Sequence, residues 1–142
     1  MNDADITQIL KDNRVIAVVG FSLKTDRPSH YVTQYMHHAG YTVLPVNPGH
    51  GGQPSGIADI PVYTSVSNAF KETGLRPGIV NVFRRSEEVG PAVSEAIAAG
   101  ASAVWMQQGV YNEEEAQRAE AAGLKVVMDR CIKVEHMHRL AV

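Results

Sequence analysis

The chain has 142 residues, of which 44% are hydrophobic and 20% charged, and its 13 lysines and arginines against 15 acids leave a net charge of -2. This length predicts one domain over residues 1–142 and excludes a multi-domain ligase or a two-domain dehydrogenase. The charge balance lacks the basic excess of duplex nucleic-acid binders, and no apolar stretch approaches the ~18 residues of a membrane span, so we expect neither partner.

The N-terminal segment predicts a helix followed by a buried strand. Residues 3–12 place Ile6, Ile9 and Leu10 on one helical face, and a continuous apolar run over residues 15–19 follows. The first twenty residues carry three acids before any apolar run, which is unlike a secretory signal, and the single cysteine cannot form an internal disulfide. We therefore expect a cytoplasmic protein.

A second helix and a second strand come next. Residues 29–39 have apolar side chains at helical spacing and stop at Gly40, and residues 41–46 read as a strand. Pro45 removes a hydrogen-bond donor from that strand. We interpret it as the frayed end of the strand, with an edge position as the alternative.

The middle of the chain continues the alternation. A weak helix over residues 67–73 precedes a clear strand over residues 78–83. We expect Ser86 to cap the helix that follows, because Glu87 and Glu88 then fall in its first turn, where the helix dipole favours anions.

The last third adds strands over residues 103–106 and 125–128, with a helix between them that Asn112 begins, and then a polar tail over residues 132–142. The strands are continuous apolar runs separated by helices. This pattern predicts an α/β fold, three-layered, doubly wound and Rossmann-like, with a mainly parallel sheet of about five strands and helices on both faces.

Four of the thirteen cations lie just after predicted strands, at the sheet edge where a doubly wound fold binds its ligand. Lys24 and Arg27 follow the first strand, and Arg84 and Arg85 directly follow the strand over residues 78–83. Adjacent guanidiniums repel each other unless they are solvated or face an anion. A phosphate is the natural partner, and the alternative is that one arginine pairs with an acid of the next helix.

The loop after the first strand departs from a dinucleotide site. Gly20-Phe21-Ser22 lacks the later glycines of the G-x-G-x-x-G fingerprint. Asn47 follows the second strand, where an NAD site uses an acid to hold the ribose. The pattern disfavours NAD, and Asn47 either binds a ribose or adenine or starts a turn with Pro48.

Several motifs, taken together and in order, resemble the stand-alone CoA-binding domain proteins (YccU-like), which are related to the CoA-binding domain of the succinyl-CoA synthetase alpha subunit. The resemblance runs from about Arg14 to His136. The motifs are Gly20-Phe21-Ser22 with Arg27-Pro28-Ser29, Pro45-Val46-Asn47-Pro48, Val82-Phe83-Arg84-Arg85, Val104-Trp105-Met106-Gln107 with Gly109, and Val127-Met128-Asp129-Arg130-Cys131.

The resemblance implies that coenzyme A binds at the C-terminal edge of the parallel sheet. Gly20, Phe21 and Ser22 would offer backbone and hydroxyl donors to its pyrophosphate, with Lys24 and Arg27 adding positive charge. Phe21 stands where such loops more often have a small residue. It would narrow the site, stack on the ligand or pack beneath the loop.

The other residues carried over by the resemblance come from two further loops. Asn47 and Pro48 would border the adenosine, and Phe83, Arg84 and Arg85 would line the same cleft. A pyrophosphate and a 3′-phosphate suit a cationic rim in a protein of net negative charge.

Catalysis is not expected. The phosphohistidine and the nucleotide-binding domain of the synthetases lie outside the matched region, so we predict binding of CoA or acyl-CoA and assign no catalytic residue. His136 and His138, near Cys131 and Glu135, do not have a zinc-site spacing, so no metal site is predicted.

Two alternatives remain at the level of sequence. One is a small enzyme, either nicotinamide-dependent or an acyl-CoA-handling catalyst that uses Cys131 as its nucleophile. The other is a protein-interaction domain with a vestigial cleft, whose protein partner the sequence does not identify.

Overall fold

The computed structural model describes residues 3–140 and shows a five-stranded parallel sheet between two layers of helices. In chain order the elements are α1 (Asp3–Asp12), β1 (Val15–Val19), α2 (Pro28–His38), β2 (Thr42–Val46), α3 (Val66–Thr73), β3 (Ile79–Val82), α4 (Gly90–Ala99), β4 (Ala103–Met106), α5 (Glu113–Ala121), β5 (Lys125–Val127) and α6 (Ile132–Arg139). The sheet order is β2-β1-β3-β4-β5, and every neighbouring pair is parallel. The predicted doubly wound α/β fold is confirmed.

Successive strand residues point into two separate hydrophobic cores. Val80 and Val104 belong to the core formed with α3, α4 and α5. Ile79 and Trp105 belong to the core formed with α1, α2 and α6, and Trp105 is fully buried there. Because helices cover both faces, a strand can be apolar at every position, which is the pattern seen in the sequence.

Pro45 lies inside the edge strand β2, where it is aligned with Val18 of β1, and the next residue, Val46, is aligned with Val19. The carbonyl of Pro45 accepts a hydrogen bond from the Tyr63 N–H, 2.8 Å away and outside the sheet. The nitrogen and carbonyl of one strand residue face the same side, so the missing donor also faces outward. The edge interpretation is therefore correct, and the frayed-end interpretation is wrong.

Ser86 does not cap the helix that follows it. A short 3₁₀ turn begins at Ser86, and α4 starts only at Gly90, with Pro91 in its first turn, where a missing N–H is harmless. The Ser86 hydroxyl instead accepts a hydrogen bond from the Tyr111 N–H at 2.9 Å. Asn112 caps α5 as predicted, through its side-chain oxygen.

The prediction of a polar tail is wrong over residues 132–139, because these residues form α6 and pack against α1 and α2. The last two residues of the predicted tail lie outside the described part of the chain. Glu135 and His136 are buried on the inner side of this helix. The Glu135 carboxylate pairs with Arg130 at 3.2 Å and with Arg139 at 2.8 Å. Polar side chains thus occupy buried positions because each has a partner, and composition alone does not show such pairing.

His136 links α6 to the rest of its layer. Its ring packs edge-on against Tyr35 and Tyr41, with centroids 5.5 and 5.6 Å away, and its Nδ1 lies 2.8 Å from the Tyr35 hydroxyl. Burial, and secondly the charge of Arg14, lower the pKa of His136 below its usual value of 6.5.

This lowered pKa predicts a loss of stability in mild acid. Below pH ~6.5 the His136 side chain takes up a proton more readily in the unfolded chain than in the folded protein. The contribution of neutral His136 to the free energy of unfolding is therefore complete above that pH and declines below it. We expect His136→Gln to flatten this decline, measured by denaturant unfolding at about pH 7.5 and about pH 5.5. His138→Gln, on the exposed side of the same helix, is the control and should leave the decline unchanged. Equal declines in wild type and His136→Gln would contradict the assignment.

No helix within residues 3–140 is both long and apolar enough to cross a membrane.

Candidate ligand-binding cleft

A cleft of about 910 Å³ opens at the carboxyl ends of the strands. The chain order reverses between β1 and β3, which are neighbours in the sheet although β2 separates them in the chain. The loops that follow β1 and β3 therefore diverge at this point, which is where doubly wound folds bind ligands. The cleft is lined by these two loops, by the loop after β4 and by the starts of α2 and α6.

The structure brings together seven of the ten residues predicted for the site. The residues that line the cleft are Gly20, Ser22, Lys24, Arg27, Phe83, Arg84 and Arg85. Phe21, Asn47 and Pro48 are absent from its lining.

Phe21 packs beneath the loop rather than into the cleft. Its side chain is fully buried, and its ring lies against the ring of His30, with a centroid distance of 5.1 Å. Of the three orientations considered from the sequence, the packed one is observed. A large residue at this position therefore does not narrow the cleft.

Asn47 supports the loop with both ends of its side-chain amide. Its Nδ2 donates to the Phe21 carbonyl at 2.8 Å, and its Oδ1 accepts from the Gly49 N–H at 2.9 Å. The second bond begins a short 3₁₀ turn in which Pro48 is the first residue. Asn47 is thus a turn starter and a brace for the loop after β1.

Two residues of α2 hold the same loop from the other side. The Ser22 N–H donates to Ser29 Oγ at 3.0 Å, and the buried His30 places its Nδ1 2.8 Å from the Ser22 carbonyl. Because bonds from β2 and α2 converge on three consecutive residues, the loop after β1 is fixed before any ligand arrives.

The loop after β1 does not offer its backbone donors to a ligand as predicted. The N–H groups of Gly20 and Phe21 both donate to the Val46 carbonyl at 3.1 Å, and that of Ser22 is occupied by Ser29. The hydroxyls of Ser22 and Ser29 each accept a backbone N–H, and within residues 3–140 neither donates to a protein acceptor. These two hydroxyl protons, one from the loop and one from the start of α2, are available to a ligand in the cleft.

Five cations surround the cleft against one acid, Glu88. The cations are Lys24, Arg27, Arg84, Arg85 and Lys133. In the part of the chain that the structure describes, none of the five forms an ion pair. The alternative in which an arginine after β3 pairs with an acid of the next helix is therefore wrong, and the cleft is strongly positive in a protein with a net charge of -2.

Lys133 is the cation that sequence reasoning missed. It lies in the first turn of α6, and its ammonium is 5.5 Å from the ring centroids of both Tyr31 and Tyr35. These contacts hold its stem near the start of α2. Lys133 also follows a strand, β5, but the polar composition from residue 132 onward predicts a tail and hides this relation.

A buried amide pair lies at the base of the cleft. Gln107, which follows β4 and lines the cleft, donates through Nε2 to Oδ1 of Asn81 in β3 at 2.6 Å, and both residues are almost fully buried. Burying an amide is tolerated only when it is hydrogen-bonded. The pair thus fixes the ends of two central strands beneath the cleft.

Cys131 lines the cleft and is half-buried. Four and five residues further along the chain, the Glu135 carboxylate pairs with Arg130 and Arg139, and His136 Nδ1 lies within hydrogen-bond distance of the Tyr35 hydroxyl. Residues 3–140 contain no group of three or more histidine, cysteine, aspartate or glutamate side chains placed to hold a metal ion.

Comparison with known proteins extends over nearly the whole chain. Residues 14–137 match the profile of a family described as "CoA binding domain". The uncharacterized protein YneT of Bacillus subtilis (strain 168) is 41% identical over 133 residues, which cover 94% of this chain and 93% of that protein. A solved structure from Thermus thermophilus has a TM-score of 0.86 at 32% identity and covers 99% of this chain and 100% of that one. A hypothetical protein from Pyrococcus horikoshii OT3 has a TM-score of 0.87 at 34% identity, with 99% and 93% covered.

Proposed function

Because the chain belongs to the CoA-binding domain family, we propose that its cationic cleft binds coenzyme A, free or as an acyl thioester, without catalysing a reaction. The observation that carries the proposal is the set of five cations around the cleft, none of which has an anionic partner within the described residues. Coenzyme A carries a pyrophosphate and a 3′-phosphate, which supply the missing partners.

The chemistry of the cations suits phosphate. A guanidinium presents a planar fork of donors that matches two phosphate oxygens, and such charge-assisted hydrogen bonds are about twice as strong as neutral ones. Arg84 and Arg85 come from the loop after β3, and Lys24 and Arg27 come from the loop after β1. A ligand with phosphates at two positions can engage both loops at once.

One feature at the end of β2 weighs against NAD. The end of β2 carries Asn47, whose amide is engaged within the protein, where NAD recognition uses an acid.

Calorimetric titration of the purified protein with CoA, dephospho-CoA, NAD and NADP tests the proposal. We expect CoA to bind most tightly and dephospho-CoA more weakly, because the latter lacks the 3′-phosphate. The affinity for CoA should fall as salt rises from about 50 mM to about 500 mM, since exposed charges are screened. Absence of binding to CoA at low salt would overturn the proposal, and preference for NADP would favour the nicotinamide enzyme.

A second measurement separates a binding module from an enzyme that uses Cys131. The intact mass of the protein is followed after incubation with an acyl-CoA. A binding module keeps its mass, whereas a nucleophilic Cys131 gains the acyl group by thioester exchange and releases free CoA. A covalent acyl adduct on Cys131 would contradict binding without catalysis.

Three further points belong to the same proposal. The single cysteine fits the reducing cytoplasm. We also propose a relationship to the CoA-binding domain of the succinyl-CoA synthetase alpha subunit, which fits a module that senses CoA or presents it to a protein partner. Five of the 13 lysines and arginines line the cleft, and the chain as a whole has a net charge of -2, which does not suit duplex nucleic acid.

A further inference from the structure

A second cavity, of about 540 Å³, adjoins the cationic cleft. The two spaces share three lining residues, Gln108, Cys131 and Val134. Tyr111 and Met128 contribute apolar surface to the second cavity alone. A ligand that occupies the cleft can therefore extend past Cys131 into the second cavity.

The charges of the two spaces are opposite. Arg130 is the cation at the second cavity, and it pairs with Glu135 at 3.2 Å. Asp129 is a second acid of the lining, and it forms no ion pair within the described residues 3–140. The lining of the second cavity thus carries two acids, Asp129 and Glu135, against one cation and is net negative.

The Asp129 carboxylate is held in place at the wall of this cavity. Its backbone has a positive φ of 57, and its Oδ1 accepts a hydrogen bond from the Gly109 N–H at 2.6 Å. The Asp129 N–H donates to the Val110 carbonyl at 3.1 Å, and Trp105 Nε1 donates to the next carbonyl, that of Arg130, at 2.8 Å. A carboxylate that has no ion-pair partner among residues 3–140 is thus held at the cavity.

We propose, on the basis of the CoA-binding function above, that the second cavity receives the acyl group of an uncharged, short-chain acyl-CoA and disfavours acyl groups that carry a carboxylate. The phosphates of the ligand belong in the cationic cleft, so its thioester end points toward the shared residues near Cys131. An alkyl chain beyond the thioester contacts Tyr111, Met128 and Val134. A terminal carboxylate in the same place faces Asp129 and is repelled.

Two acyl-CoAs of equal chain length test this inference. Butyryl-CoA and succinyl-CoA both carry four-carbon acyl groups, and succinyl-CoA adds a terminal carboxylate. We expect the Kd of butyryl-CoA to lie within about threefold of that of CoA. Succinyl-CoA should bind about fivefold to tenfold more weakly than butyryl-CoA, because its carboxylate is repelled by the Asp129 carboxylate a few ångströms away.

Asp129→Asn is the matched variant, because asparagine keeps the Oδ1 acceptor for Gly109 and tolerates a positive φ. It should reduce the difference between butyryl-CoA and succinyl-CoA to about twofold or less. Glu120→Gln removes the same charge from an exposed position of α5 that lines neither cavity. This control should leave the difference unchanged.

Three results would overturn the acyl assignment while leaving CoA binding intact. They are equal affinities of the wild type for the two acyl-CoAs, an unchanged difference in Asp129→Asn, and binding of butyryl-CoA more than about tenfold weaker than CoA. Absence of CoA binding would overturn the proposed function itself, and this inference with it.

Discussion

Replacement of Arg84 and Arg85 together by alanine is expected to weaken CoA binding about 100-fold, which corresponds to about 2.7 kcal/mol. Each guanidinium is exposed at the wall of the cleft and has no ion pair within the described residues. A hydrogen bond between charged groups contributes about 1.5–3 kcal/mol, and we take the lower end for each arginine because both are solvated before the ligand binds. Calorimetric titration with CoA measures the loss.

The stability of this double variant should barely change, since exposed substitutions away from caps and networks usually alter stability by less than about 0.5 kcal/mol. The control is Lys11→Ala with Lys125→Ala. It removes the same charge from exposed positions outside the cleft lining and should leave the affinity within about twofold of wild type. A double arginine variant that binds CoA as tightly as this control would remove the main support for a phosphate site.

Gly20→Ala is expected to lower the free energy of unfolding by at least about 3 kcal/mol, or to prevent folding, and to abolish CoA binding. Gly20 has a φ of 88, which non-glycine residues rarely adopt, and a Cβ there would overlap the carbonyl oxygen of Phe83. Phe83 immediately precedes Arg84 and Arg85, so relief of the overlap by movement of the chain would displace both arginines. Denaturant unfolding and CoA titration measure the two effects.

Gly52→Ala separates the two causes of this loss. Gly52 has a similar φ of 85, but a Cβ there meets no heavy atom within 4 Å. This variant should therefore show only the backbone penalty, about 1–2 kcal/mol, and should bind CoA normally. Equal destabilisation by the two substitutions would mean that the close approach of β1 to the Phe83 carbonyl has no energetic consequence.

The order and type of most elements could be predicted because they depend on local pattern. The run from Val15 to Val19 is apolar at every position, and Ile6, Ile9 and Leu10 recur at helical spacing, so each segment specifies its own geometry. Asn112 is recognisable as a helix start for the same reason, since its bond to a nearby N–H is local. The prediction that Ser86 caps a helix is wrong because its hydroxyl accepts a hydrogen bond from Tyr111, which is 25 positions away.

The candidate site was predictable to the extent that its residues follow strands. Parallel strands end at one edge of the sheet, so Lys24, Arg27, Arg84 and Arg85 are brought together by topology alone. Lys133 was missed because α6 is buried through paired polar residues, and its sequence therefore resembles an exposed tail.

The sequence by itself determined the fold class and the concentration of positive charge at one edge of the sheet, because both follow from periodicity and from the positions of residues after strands. Only the tertiary structure decided which donors remain available to a ligand. The hydrogen bonds of Asn47, Phe21 and Ser22 join the loop after β1 to the end of β2 and to the start of α2. Bonds between different elements leave no trace in the local sequence pattern. It also decided that the cationic cleft continues past Cys131 into a negative cavity, since Gln108 after β4 and Cys131 and Val134 at the start of α6 line both spaces.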